Sequence, residues 1–173
     1  MHPGCSVVQA GSVIDTMRDT PGGEVLAVVA WLEAADAVYQ INGGWAVDAL
    51  AGRQTRPHSD VDVFADEKQV PALVGWLRTR GYVLTEDWRP VRVEFRSPLG
   101  RVDVHPMRLD EHGNGVQRGL GDVIYVHPAA ERVTGHIDGQ PVVVASPSRL
   151  RELRTGYELR QVDEHDLEVL RNL

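Results

Sequence analysis

The chain predicts an α+β domain with one central mixed sheet flanked by helices. Two observations carry this. Segments of helical and of strand periodicity follow one another in the order α-β-α-β-α-β-β-β, then more strands, then two closing helices. The length of 173 residues suits a single domain, with no internal repeat and no low-complexity segment.

Residues 1–23 end in Thr20-Pro21-Gly22-Gly23 and read as a loosely ordered leader; 24–173 is the domain proper, with its C-terminal helices. From Glu24 to Ala37, Val25, Val28, Val29, Leu32 and Ala35 recur at helical spacing. Val38 to Ile41 is a short strand, running into the turn Asn42-Gly43-Gly44, and Trp45 to Ala51 is a helix closed by Gly52. A polar connector leads to Asp60–Ala65, which alternates and then stays apolar, as a strand with one buried face does. Lys68–Arg80 is an amphipathic helix stopped at Gly81. Tyr82–Leu84, Val91–Arg96 and Arg101–Pro106 read as strands, the last two a hairpin through Ser97-Pro98-Leu99-Gly100. Asp110–Gly121, rich in Gly, Asn and charge, reads as a loop. Strands follow at Val123–Val126, Arg132–Ile137 and Pro141–Val144. Ser146-Pro147 caps a helix running to about Thr155, and Val162–Leu170 is the terminal helix.

Composition excludes several chemistries. Cys5 is the only cysteine, so there is no disulfide framework and no Cys-rich metal site. Such usage fits a reducing, cytoplasmic compartment. Lys68 is the only lysine and lies in a polar stretch, which disfavours Schiff-base chemistry. The net charge of −7 disfavours a nucleic-acid partner, which calls for a basic face, and is compatible with a cationic small molecule. No apolar run approaches the roughly 18 residues of a membrane span, and Met1-His2-Pro3-Gly4 does not open a secretory signal. There is no Walker A sequence, no Gly-x-Ser-x-Gly, no His-Glu-x-x-His and no dinucleotide glycine pattern.

The informative stretch is Gly43-Gly44-Trp45 followed by His58-Ser59-Asp60-Val61-Asp62. Asp60 and Asp62, two apart on a strand, project from one face about 7 Å apart at the backbone. Like charges so placed favour a cation between them, and magnesium binds through one or two carboxylates plus substrate phosphates. Asp103, on a later strand between Val102 and Val104, makes a third carboxylate if the strands are neighbours. Asp-x-Asp by itself also suits any solvated strand face. The company strengthens the metal reading: Gly43-Gly44 follows a strand and opens a helix, the arrangement whose N–H groups receive a phosphate.

With these residues in place, the chain resembles the DNA-polymerase-β-like nucleotidyltransferases, and within them the short lincosamide nucleotidyltransferases. The shared pattern is Gly43-Gly44-Trp45-x-Val47-Asp48-x-Leu50-x-Gly52, then Arg56-x-His58-x-Asp60-x-Asp62, Trp88-x-Pro90-x-Arg92-x-Glu94 and Gly100-x-x-Asp103-x-His105-Pro106. Late matches are Gly156-Tyr157-x-Leu159 and Asp163-x-His165-Asp166. The resemblance spans roughly residues 24–173, and aminoglycoside adenylyltransferases share its first half.

The resemblance implies a polymerase-β-like nucleotidyltransferase fold and a magnesium-dependent transfer of a nucleoside monophosphate, from ATP or GTP, to a hydroxyl of a lincosamide antibiotic. It implies that Asp60, Asp62 and Asp103 hold the metal and that Asp103 is the general base. Gly43 and Gly44 bring N–H groups to the triphosphate; Arg56 or His58 adds charge or a hydrogen bond there, unless Arg56 simply faces solvent. Arg92 and Glu94 line the acceptor side or form a plain strand ion pair. Trp88 and Tyr157 are pocket walls or core, and Trp45 is core packing that fixes the loop. The short chain predicts a homodimer in which a second subunit completes the acceptor pocket. Competing readings are an aminoglycoside or another hydroxylated small molecule as acceptor, a protein or RNA acceptor, and a binding module without catalysis.

Overall fold

The computed structural model of the protein describes residues 19–173. The expected leader lies outside the described residues as far as residue 18. Its last residues belong to the domain. Thr20 is fully buried: its N–H donates to the His58 carbonyl (2.7 Å), and its hydroxyl donates to the Ser59 carbonyl (3.0 Å) and accepts from the Arg101 N–H (2.9 Å). The first helix, α1 (Gly22–Ala34), accordingly starts before Glu24.

There follow β1 (Tyr39–Asn42), α2 (Gly43–Ala51), β2 (Val61–Asp66), α3 (Val70–Thr79), β3 (Val83–Trp88), β4 (Arg92–Ser97) and β5 (Gly100–Leu109). Next come β6 (Gly115–Arg118), β7 (Ile124–His127), β8 (Arg132–Ile137), β9 (Gln140–Ala145), α4 (Pro147–Glu152) and α5 (Gln161–Arg171). The main sheet has the order β3-β4-β5-β2-β1-β9-β8, and the β6–β7 hairpin hangs from the far end of β5. β2 pairs in parallel with β5 and antiparallel with β1, so the sheet is mixed, as expected.

Several boundaries differ from the sequence reading, and two of the differences bear on the site. The loop expected over Asp110–Gly121 contains β6, because β5 runs on to Leu109 and offers Arg108 and Leu109 as partners to Val116 and Gly115. β3 extends to Trp88 through Thr85-Glu86-Asp87; as an edge strand it is largely exposed, so it carries no alternating apolar signal.

Period-two alternation on the two central strands builds the core. Val61, Val63 and Ala65 on β2 and Val102 and Val104 on β5 are buried with Val25, Val28, Val29 and Leu32 of α1, each aliphatic side chain contributing roughly 1.5–3 kcal/mol by burial. The alternate positions, Asp62 and Phe64 on β2 and Asp103 and His105 on β5, therefore share the opposite face of the sheet.

Candidate active site

Strand pairing brings the carboxylates together. Asp62 is directly opposite Asp103 in the β2–β5 ladder, and Phe64 is opposite His105, their rings stacked at 4.2 Å. Asp62, Asp103 and His105 each offer a ligand atom within 4.8 Å of one another. The two acids have opposite electrostatics. Burial pushes Asp62 up, but the hydrogen bond from His105 Nε2 (3.2 Å) and the attraction of His105, Arg101 and Arg154 outweigh it and hold the carboxyl below its usual range. Burial, then repulsion from Asp62 and Asp60, pushes Asp103 up to about 7, with Arg92 and His105 opposing.

Asp60 stands just before β2 and apart from this group. Its Oδ2 pairs with the Arg101 guanidinium, which also lies 3.6 Å from Glu94. Arg101 is thus a protein-borne cation among the site carboxylates.

A divalent cation fits the Asp62–Asp103 pair. Asp103 Oδ1 is buried without a partner, and Arg92 and His105 only partly offset the repulsion within the pair. A hard ion bound by carboxylate oxygens relieves both.

The glycines shape the wall beside these acids. Gly43 has φ of +65°, and a Cβ there would lie 2.2 Å from Asp62 Oδ2, so only glycine lets the chain pass over the carboxylate. α2 begins at this point, aiming its free N–H groups at the cleft. Asn42, the residue before it, is buried with its Nδ2 unpartnered. Oriented donors at a helix N-terminus suit an anion. A Cβ on Gly44 would meet Arg56 Nη2 and His58 Nδ1, both at 2.4 Å.

His58 is buried and donates through Nε2 to Asp48 Oδ2 (2.5 Å), packing beneath the glycine turn against Trp45 rather than opening onto the cleft. Arg56 lines the cleft, with its guanidinium engaged bidentately by Asp166 (2.8 and 2.9 Å). Trp45, expected as core, is buried, and its Nε1 donates to the Thr20 carbonyl.

The cleft encloses about 580 Å³ between the sheet face, the glycine turn and the C-terminal helices. Tyr157 lines it together with Gly43, Gly44 and Arg154, away from the residues grouped with it by sequence. Arg92 and Glu94 flank Asp103 from the β3–β4 hairpin, and Trp88 is opposite Arg92 on the outer strand. Glu94 is opposite Asp103 in register, Arg92 Nη1 is 3.5 Å from Asp103 Oδ2, and Trp88 is half-exposed. Every acid on β3 and β4 has an arginine partner: Glu86 with Arg92, Asp87 with Arg89, Glu94 with Arg96.

Several contributors escaped the sequence reading of roles. His105 and Asp166 appeared there only as motif letters. Arg101, Arg154 and Arg160 reach the cleft as charged side chains, and their scattered positions carry no spacing signal.

In-register aspartates on adjacent strands under a glycine-led helix start define a nucleotidyltransferase domain. The profile of the aminoglycoside-2''-adenylyltransferase family matches residues 24–170, and the chain belongs to that family. A lincosamide resistance protein of Staphylococcus haemolyticus is 26% identical over 153 residues, covering 87% of this chain and 94% of that protein. The crystal structure of the lincosamide antibiotic adenylyltransferase LnuA, lincomycin-bound, aligns with TM-score 0.81 at 25% identity over 89% of this chain and 98% of that one. The structure of ANT(2")-Ia with adenylyl-2"-tobramycin shares the fold, with TM-score 0.66 at 16% identity over 87% of each chain. The chain is accordingly an enzyme of the nucleotidyltransferase class, as the sequence motifs implied.

Proposed function

We propose that this enzyme transfers the nucleoside monophosphate of a nucleoside triphosphate, with magnesium, to a hydroxyl of a lincosamide antibiotic and so inactivates it. The observation that carries this reading is the pairing of Asp62 with Asp103, one acid held ionised and the other with its pKa near 7. ATP is read as the donor, since LnuA and the family are adenylyltransferases, and such a co-substrate places the reaction in the cytoplasm.

Asp62 and Asp103 would hold magnesium, joined by Asp60 on release from Arg101. The ion, when bound, neutralises charge on the phosphates and on the departing pyrophosphate. Gly43 and Gly44 present N–H groups to the triphosphate, while Arg56 and His58 hold that turn in place. Asp103, its pKa matched to neutral pH, accepts the acceptor hydroxyl proton as that oxygen bonds to the α-phosphorus and the bond to pyrophosphate breaks. Arg92 and Glu94 border Asp103 where the acceptor must approach; Trp88 offers a wall there, and Tyr157 a wall on the cleft side.

The arginine partners of Glu86, Asp87 and Glu94 leave little free negative charge on that hairpin. This favours a lincosamide, with its single amine, over a polycationic aminoglycoside. The family profile motivates the second reading, an aminoglycoside acceptor. Incubation with α-labelled ATP or GTP, magnesium, and lincomycin, clindamycin or a set of aminoglycosides tests both. Labelled lincosamide is expected; label on aminoglycosides alone overturns the acceptor and keeps the reaction, and no labelled product overturns the function.

A further inference from the structure

We propose that His105 serves this site as a hydrogen-bond donor that orients Asp62, not as a metal ligand, and that Gln117 and His127 are positioning residues that fix its proton on Nε2. Three side chains run in line from the interior to the carboxylate. His127 Nε2 is 2.9 Å from Gln117 Oε1, Gln117 Nε2 is 3.3 Å from His105 Nδ1, and His105 Nε2 is 3.2 Å from Asp62 Oδ1. Gln117 and His127 come from the β6–β7 hairpin, and both are buried.

Only one polarity of this chain is self-consistent. If His127 donates to Gln117 Oε1, the Gln117 amide donates to His105 Nδ1, which must then carry a lone pair. With Nδ1 as acceptor, the ring's proton is on Nε2, facing an oxygen that can only accept. In the reverse polarity, His105 donates through Nδ1 and a neutral ring turns a lone pair toward the Asp62 carboxylate. His127 would then carry its proton on Nδ1, a buried atom with no partner. An orphaned buried N–H is costlier than an unused lone pair. The positive charges of Arg149 and Arg132 act on His127 and disfavour its doubly protonated form. Burial, with those charges, lowers His127 to about 4, so the ring that starts the relay is neutral at physiological pH.

A protonated Nε2 has no lone pair for a cation. His105 therefore occupies Asp62 Oδ1 and leaves Oδ2, the oxygen under Gly43, as the one that would hold a cation. Outer partners of this kind typically alter metal affinity or activity 10–100-fold.

The tautomers are read directly by long-range ¹H–¹⁵N correlation on labelled, metal-free wild-type protein near neutral pH, then with magnesium added. Nε2-protonated His127 and His105, with His105 unchanged by magnesium, are expected. A His105 proton on Nδ1, or its loss from Nε2 on adding magnesium, overturns the assignment. The consequence for turnover rests on the nucleotidyl-transfer reading and is measured separately. In Gln117→Glu the carboxylate accepts from both imidazoles and draws the His105 proton to Nδ1, so kcat should fall roughly tenfold or more with KM for the nucleotide little changed. Gln117→Leu, which removes the relay without reversing it, should fall less. Equal losses in the two variants, or wild-type kcat in Gln117→Glu, overturn the positioning role. Wild-type protein that shows the expected tautomers but transfers no nucleotide overturns the function and leaves this assignment standing.

Discussion

Asp62 and Asp103 face each other across one rung of the β2–β5 ladder, yet their carboxyls are driven in opposite directions. Asp62 is surrounded by His105, Arg101 and Arg154, which outweigh its burial. Asp103 has burial and two neighbouring carboxylates against it, with Arg92 and His105 only partly compensating. In the proposed mechanism this separation leaves Asp62 as a ligand alone and gives Asp103 the base role as well.

Asp103→Asn should abolish transfer while nucleotide binding largely survives. It should also change how stability depends on pH. A folded-state value of about 7, above the usual 3.8 of an aspartate, means that the folded protein binds this proton more tightly than the unfolded chain. The stabilising contribution of the proton is complete below the unfolded value and is lost as pH rises through about 7, at about 1.4 kcal/mol per pKa unit as an upper bound. Asparagine stays neutral, so without divalent cations the variant should gain melting temperature over wild type at pH above 7 and little at low pH. Near-normal turnover would remove the base assignment, and a pH-independent gain would remove the titration argument.

Gly43→Ala tests the approach of the turn to Asp62. The added methyl would strike Asp62 Oδ2 in a backbone conformation that alanine resists, at φ of +65°. Strain of on the order of 1–3 kcal/mol is expected, together with loss of nucleotide affinity, because Asp62 and the first N–H groups of α2 must move apart. Thermal melts and nucleotide titration measure the two effects; unchanged nucleotide affinity would show that the turn does not contact the phosphates.

The face bearing the carboxylates was legible because alternation and the Asp-x-Asp spacing are local properties of β2, and the valines flanking Asp103 mark β5 in the same way. What the spacing left unseen is tertiary. That Asp60 pairs with Arg101, and that Asp166 joins Arg56 to Arg154, depends on which strands and helices meet. β6 was hidden for a related reason: its pairing comes from the overhanging end of β5, while its own Gly115 and the neighbouring Asn114 and Gly113 carry turn chemistry. The resemblance sets Tyr157 with Trp88 as an acceptor-side pocket wall, whereas the C-terminal segment returns to the glycine turn.

Asp166→Ala should be among the most damaging substitutions outside the carboxylate group. Asp166 is 1% exposed and receives Arg56 at 2.8 Å and Arg154 at 2.7 Å, tying α5 to the connector before β2 and to the segment after α4. Removing it leaves Arg154 in a buried setting without its carboxylate partner, at a cost of roughly 3–5 kcal/mol. Chemical denaturation measures the loss; less than about 1 kcal/mol would place the pair among the weak surface bridges.

We propose that the expected homodimer forms through β7. Among the described residues β7 pairs only with β6, leaving its other edge open. Leu120, Val123, Ile124, Tyr125 and Val126 are each 43–65% exposed there, and the strand carries neither the lysine nor the proline that usually blunts an edge. The hairpin hangs on the same side of β5 as β4, so a second copy paired along β7 would approach the side from which Arg92 and Glu94 flank Asp103. Sedimentation velocity should therefore give a dimer, and Ile124→Lys with Val126→Lys should give a folded monomer with a raised KM for the acceptor and an unchanged KM for the nucleotide. A wild-type monomer at micromolar concentration, or a lysine variant that remains dimeric, removes β7 as the interface.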